Sequence, residues 1–337
     1  MTGSKVAAFI LGVCLLLSVV SAYSVEPAPK YMVFASDTQY PWTDKTDKTD
    51  SGAPESDEAF TKRSKWLVET QLASIAAFRN AQGGQAKVPL MINGDITAFG
   101  HDWQRSYMKE VLAKHFGGEY LYGLGNHDYE NNVDDCFSNS CAAGSIVEFR
   151  KHHENRVDNF DVRSAQGFWG NTYSGSLAYS KTIGDVHMVQ LNNEPTYTTR
   201  IAHFLNPTTF EINSALDWLE VDLRLARAQG YAIIINMHKP LKMKGDSAQQ
   251  KRFRDMIVKY QVTAIFAGHL HRDGGDSYWV GDVPMYLSGA TSQQTYLITR
   301  FTEDRKQLQI YLVKDNQWQE RTLIDTVAVK SIWASRP

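Results

Sequence analysis

The stretch Leu121-Tyr122-Gly123-Leu124-Gly125-Asn126-His127-Asp128 decides how this chain is read. A short apolar strand breaks at Gly125 and delivers an amide, an imidazole and a carboxylate to its tip. In α/β proteins the chemistry gathers outside the carboxyl ends of strands. The same layout recurs along the chain. Val33-Phe34-Ala35-Ser36 runs into Asp37-Thr38-Gln39, and the apolar run at 88–93 runs into Gly94-Asp95. Residues 231–237 lead to His238, and 263–267 lead to Gly268-His269-Leu270-His271. Carboxylate, imidazole and amide oxygen are the donors that hard and borderline divalent cations take.

In that order the pieces resemble the calcineurin-like metallophosphoesterase family, whose pattern is D-x-H, G-D, G-N-H-[DE], H and G-H-x-H. The motifs span 37–271, and the departure is Gln39 where the family usually has histidine. The resemblance implies an α/β fold, a four-layer α/β/β/α sandwich of two mixed sheets flanked by helices. It also implies two divalent metal ions, drawn from manganese, iron, zinc, magnesium or calcium. Asp95 would bridge them. Asp37, Asp95, His271 and Gln39 would face one ion, and Asp95, Asn126, His238 and His269 the other. For Gln39 a spectator amide remains the alternative to a metal contact. The implied reaction is metal-assisted hydrolysis of a phosphate ester, diester or monoester, with His127 as general acid and Asp128 orienting its ring. Expected substrates are nucleotides, phospholipid headgroups or small phosphate esters. The rival reading is a binding or toxin-like module that keeps the fold without turnover. Such a module should have lost one of Asp95, Asn126, His238 or His269, and all are present.

Composition narrows the partners. The chain has 337 residues, with 35 Lys and Arg against 37 Asp and Glu, a net charge of −2. That is too near neutral for a nucleic-acid or anionic-membrane surface. Residues 1–22 read as a signal peptide, with Lys5 at the start, an apolar core over 6–20 and Val20-Ser21-Ala22 before the cut. A secreted or periplasmic protein is expected, with 23–337 as a single domain. An uncleaved anchor is the alternative, but the apolar run is short for a bilayer, and no later run is long enough. Cys136 and Cys141 are expected to form a small loop disulfide in an oxidising compartment.

The remaining elements follow from periodicity. Helices are expected over 60–79, with Trp66, Leu67, Leu72, Ile75 and Phe78 on one face, and over 103–115, 145–158 and 247–260. Thr208-Thr209-Phe210-Glu211 spells a capping box ahead of a helix carrying Ile212, Leu216, Leu219 and Leu223. Segments 168–180 and 185–192 read as strands of a second sheet, and 283–287, 295–301 and 308–313 as closing strands. Polar insertions lie near 43–58 and 131–144. The first is expected to add nothing to a core and to be a solvated loop, or else a lid over the site. The histidines at 101, 115, 152, 153, 187 and 203 match no motif and are expected at the surface or in the core.

Overall fold

The computed structural model describes residues 28–48, 55–168, 170–240 and 245–331. The expected signal peptide lies outside them. The first sheet starts from three parallel strands, β1 (Tyr31–Ala35), β2 (Leu90–Ile92) and β3 (Leu121–Tyr122). Their crossovers are α1 (Asp57–Ala81) and α2 (Asp102–Phe116). Ser56 caps α1 by accepting a hydrogen bond from the Ala59 amide at 3.3 Å. Leu67, Leu72, Ile75 and Phe78 of α1 are buried as their spacing requires, whereas Trp66 is exposed. Antiparallel β15 (Tyr296–Phe301), β16 (Gln307–Val313) and β17 (Thr322–Ala328) complete the order β17-β16-β15-β1-β2-β3.

The second sheet runs β13-β14-β12-β11-β8-β7-β4. Its strands are β4 (Asn159–Phe160), β7 (Tyr179–Ile183), β8 (Val186–Gln190), β11 (Ala232–Asn236), β12 (Ala264–Ala267), β13 (Ser277–Val280) and β14 (Val283–Leu287). The stretch from β8 through β11 and β12 to β14 is parallel. Helices α5 (Leu216–Gln229) and α6 (Ser247–Lys259) cover its outer face with Leu219, Leu223, Phe253 and Ile257. The inner faces of the two sheets meet through Phe34 and Phe266, whose rings stack at 3.7 Å, and through the Tyr179 hydroxyl, which donates to the Tyr122 carbonyl at 2.8 Å. The result is the mixed α/β arrangement of sheets flanked by helices that the motifs imply.

A third sheet was not legible. Strands β5 (Arg163–Gly167), β6 (Gly170–Gly175), β9 (Thr199–His203) and β10 (Asn206–Ile212) form it in the order β5-β6-β10-β9. Segment 168–180 therefore divides between two sheets. The capping-box reading at 208–211 fails, because Thr208 to Ile212 pair in parallel with Asn171 to Gly175 and bury Phe210. Thr-Thr-Phe suits a pleated, half-buried surface, and the pairing overrides the local cap signal. The helix begins only at Leu216. Helix α4 (Ser140–His153) also starts earlier than its periodicity suggested, inside the second polar insertion, and follows α3 (Asn126–Tyr129). Cys136 and Cys141 are disulfide-bonded. Among the described residues, no helix is long and apolar enough to cross a membrane.

One buried polar network ties α5 to the second sheet. Asp222 accepts from the Ser180 hydroxyl at 2.8 Å and the Asn159 amide at 3.0 Å, and its other oxygen lies 2.8 Å from His187 Nε2. Burial works against the Asp222 charge, but the bonds from His187, Asn159 and Ser180 prevail and hold its pKa below the ordinary value. A depressed carboxylate stabilises the fold at neutral pH and loses that contribution as pH falls through the acid range. Asp222→Ala should destabilise by about 3–5 kcal/mol at neutral pH, since it leaves buried partners uncompensated. Urea unfolding at a series of pH values checks this, and the gap to wild type should narrow on acidification.

Candidate metal centre

The strands that end in motif residues are the parallel ones, so their tips share one rim. Asp37 follows β1, Asp95 follows β2, Asn126 and His127 follow β3, His238 follows β11, and His269 and His271 follow β12. The turns are held in a backbone region that L-residues seldom adopt. Asp37 has φ 50°, Gln39 φ 40°, Asp95 φ 51° and His269 φ 72°. Such conformations cost on the order of 1–3 kcal/mol each and cluster where function over-determines them. Gly125 is required by proximity: a Cβ there would meet Asp95 Oδ1 at 2.1 Å. Gly94 has φ 85°, and its Cβ would meet His238 Nδ1 at 2.8 Å.

Asp95 is fully buried. Its Oδ1 accepts from the His127 amide at 2.8 Å, while Oδ2 lies 3.1 Å from His238 Nε2 and has no hydrogen-bond partner among the described residues. His238 Nδ1 donates to the Asn93 carbonyl at 2.9 Å, which aims Nε2 at Asp95 and at Asn126 Oδ1, 2.9 Å away. Asp95, His238 and His269 bring ligand atoms within 4.8 Å of one another. On the other side, Asp37 Oδ2 accepts from the His269 amide at 2.9 Å, and Oδ1 sits 3.1 Å from His271 Nε2. Gln39 is buried, and neither Oε1 nor Nε2 has a partner among the described residues.

Buried polar atoms are normally satisfied. Here Asp37 Oδ1, Asp95 Oδ2 and both Gln39 atoms lack hydrogen-bond partners among the described residues, within one cluster of oxygen and imidazole donors. That donor set fits divalent cations, with Asp37, Gln39 and His271 on one side, Asn126, His238 and His269 on the other, and Asp95 between. The electrostatics agree. Burial alone would lower the His238 pKa, but the Asp95 and Asp37 carboxylates raise it to about 9. Burial likewise opposes protonation of His271, yet Asp37 and Asp47 push it up to about 10. Positive charge is therefore favoured at both ends of the cluster. Burial and neighbouring His238 push His269 down to about 4, which leaves its ring neutral and free to ligate at neutral pH.

Two expectations need correction. Asp128 does not hold the His127 ring. Its carboxylate accepts from the amides of Ile96 at 3.1 Å, Thr97 at 3.2 Å and Gly125 at 2.9 Å, fixing the two loops that carry Asp95 and Asn126. Burial and the nearby Asp95 charge raise its pKa to about 7. The ring is held instead by the Ala98 carbonyl, which accepts from His127 Nδ1 at 2.6 Å. The first polar insertion is not merely solvated either. Thr43 is buried, and Asp47 reaches into the site. Asp47 Oδ1 lies 2.6 Å from His271 Nδ1 and accepts from Trp42 Nε1 at 2.7 Å, while Oδ2 accepts from Ser292 Oγ and from Gln293 Nε2 at 2.7 Å. The Trp42 ring meets both His127 and His271 edge-on, at 5.5 and 5.9 Å. Neither Asp47 nor the Ala98 carbonyl had a signal in the sequence, because one lies in a low-complexity run and the other is backbone.

The profile of the calcineurin-like phosphoesterase family matches residues 33–273. The chain belongs to that family. It is a metal-dependent phosphoesterase, and the matched span brackets every motif from Asp37 to His271. No curated protein matches the phosphoesterase in sequence. Among solved structures it is similar to TT1561 of Thermus thermophilus, at 10% identity and TM-score 0.44, covering 85% of this chain and 99% of that one. It is also similar to GAP50 of Plasmodium, at 9% identity and TM-score 0.46, covering 89% and 88% of the two chains. A third is the 5'-nucleotidase of Candida albicans, at 15% identity and TM-score 0.49, where 82% of this chain covers 48% of that one.

A carboxylate behind a ligating histidine fixes its tautomer and raises its basicity, and loss of such a partner typically weakens metal affinity by roughly 10–100-fold. Asp47→Asn should therefore weaken the Asp37-side cation by that factor and leave the His238-side cation unchanged. Calorimetric metal titration, which resolves the two sites, is the check.

Proposed function

We propose that the protein is an exported hydrolase of small phosphate esters, in which Asp95, with the donors around it, would hold two divalent cations and His127 protonates the leaving oxygen. The observation that carries this reading is the buried Oδ2 of Asp95, which has no hydrogen-bond partner among the described residues and faces His238 Nε2 at 3.1 Å, among imidazole and amide donors from both sheets. Two cations held there supply activation of a water and neutralisation of charge on the phosphoryl oxygens. The chain does the rest. The His127 amide is anchored on Asp95 and its Nδ1 donates to Ala98, which leaves Nε2 as the nitrogen that, in the imidazolium form, passes its proton to the leaving group. Half-buried Trp42 and exposed Phe99 flank the ring and restrict water around it, Phe99 edge-on at 5.8 Å. Their apolar faces favour a leaving group with a planar or apolar body, such as a nucleoside, over a bare sugar.

The Cys136–Cys141 bridge supports an oxidising compartment. With the signal-like residues 1–22 it supports export to the periplasm or the extracellular medium. An exported protein that retained its full-length mass would overturn the cleavage near Ala22.

The metal-reconstituted protein should hydrolyse bis-p-nitrophenyl phosphate or p-nitrophenyl phosphate in a chelator-sensitive way. Absence of turnover with every divalent cation would contradict the proposal. Asp95→Asn should abolish turnover and reduce bound metal, because an amide does not bridge two cations as a carboxylate does. His127→Ala should keep its metal and slow the reaction by roughly 10²–10⁴-fold. The loss should be larger for alkyl esters than for p-nitrophenyl esters, and an equal loss would assign His127 to substrate positioning.

Gln39 offers a neutral amide oxygen, a donor better suited to manganese, magnesium or calcium than to zinc. The Asp37-side cation is then the weaker one. Gln39→His should lower the metal concentration needed for half-maximal activity, and superimposable titrations would place Gln39 outside the coordination sphere.

A further inference from the structure

A separate cavity of about 290 Å³, lined by none of the candidate metal ligands, lies between α2, α4 and the edge strand β3. Its buried floor is apolar, formed by Met108, Leu112 and Leu124, with Ile96 and Asp128 beside them. Its mouth is basic. Lys109 and Lys151 stand exposed at the rim and have neither an ion pair nor a hydrogen bond among the described residues. Arg156, also exposed, has only the Gly118 carbonyl, at 2.6 Å. Of the other charged groups lining it, Arg105 is paired with Glu148 at 3.1 Å, so the rim keeps a net positive charge.

The walls carry a second signal. Tyr122 is 9% exposed and Tyr120 is half-buried, yet neither hydroxyl has a hydrogen-bond partner among the described residues. Both tyrosines line the cavity, so a group entering it meets two unused phenol donors part-way down. Neighbouring His152 is already engaged, its Nε2 lying 2.9 Å from the Tyr120 carbonyl. Apolar depth, a few convergent polar groups and a charged mouth are the elements of a small-molecule site.

We propose that this cavity binds a small amphipathic organic anion, its planar or short aliphatic body on the Met108–Leu112–Leu124 floor and its carboxylate, sulfonate or phosphate at Lys109 and Lys151. The orientation follows from charge. The lysines at the mouth attract an anion, and the buried floor offers it only apolar surface. The inner wall is also the set of residues that fixes the metal loops, since Ile96 and Thr97 donate to Asp128. A bound body therefore presses on the residues that place Asp95, and occupancy is coupled to metal binding. The proposal stands apart from the hydrolytic reading, because no residue of the metal centre is needed to fill the cavity.

The probe is 1-naphthalenesulfonate, titrated calorimetrically into the full, metal-loaded protein, with 1-naphthol as the uncharged control. Binding should survive chelation of the metals. It should weaken at least tenfold in the Lys109→Glu/Lys151→Glu double variant and several-fold in Tyr122→Phe. Ligand-free turnover of the double variant should match wild type, since both lysines are surface residues outside the catalytic cluster. Saturating sulfonate should shift the manganese concentration that gives half-maximal turnover. Absence of binding, equal affinity in wild type and double variant, or loss of binding on chelation would overturn the site. Naphthol binding as tightly as the sulfonate would overturn the assignment to anions, and an unmoved manganese midpoint would overturn the coupling.

Discussion

The structure depends on how the Asp95 carboxylate is held. One oxygen is satisfied by the His127 amide, and the other is fully buried, facing His238 Nε2 at 3.1 Å without a hydrogen bond among the described residues. A buried carboxylate is costly unless something positive faces it. The chain supplies imidazoles beside it and, through Asp37 and Gln39, more oxygen nearby, a setting that favours positive charge. Asp128 makes this arrangement rigid. By gathering the amides of Ile96, Thr97 and Gly125, it locks the loops after β2 and β3 against each other. The glycines at 94 and 125 are the consequence, because a side chain at either would strike the atoms being held.

The two sheets are needed for a related reason. Each contributes only part of the donor set: Asp37, Asp95 and Asn126 come from the first, and His238, His269 and His271 from the second. The packed layer around Phe34 and Phe266 sets their separation. Aromatic stacking across a close-packed inter-sheet core resists sliding, and small displacements there would pull ligands apart by similar amounts. The third sheet is tied to the body through Arg150 of α4, whose guanidinium lies 3.7 Å from the Tyr173 ring centre.

Strand tips were legible in the sequence because each motif joins an apolar run to a glycine break and a polar cluster, a pattern carried by consecutive residues. What stayed hidden depends on contacts between distant residues. Asp47 sits in a repetitive Thr-Asp-Lys run, and nothing local distinguishes it from Asp44 or Asp50. Its role comes from folding back onto His271, 224 residues away. The Ala98 carbonyl that holds His127 is invisible for another reason, since any residue could provide it. Adjacency in sequence points Asp128 at the ring, but the turn after Gly125 directs its carboxylate toward backbone amides instead. The capping box at 208–211 misled because a four-residue pattern cannot reveal that β6 is waiting beside it.

The central claim is that one carboxylate serves two cations. Electron paramagnetic resonance of the protein titrated with manganese tests it most directly. Two ions sharing Asp95, ~3.5–4 Å apart as in other two-metal sites, should give an exchange-coupled spectrum at saturation, with two manganese bound per chain. A spectrum of isolated manganese at saturation, or a single bound ion, would contradict the account.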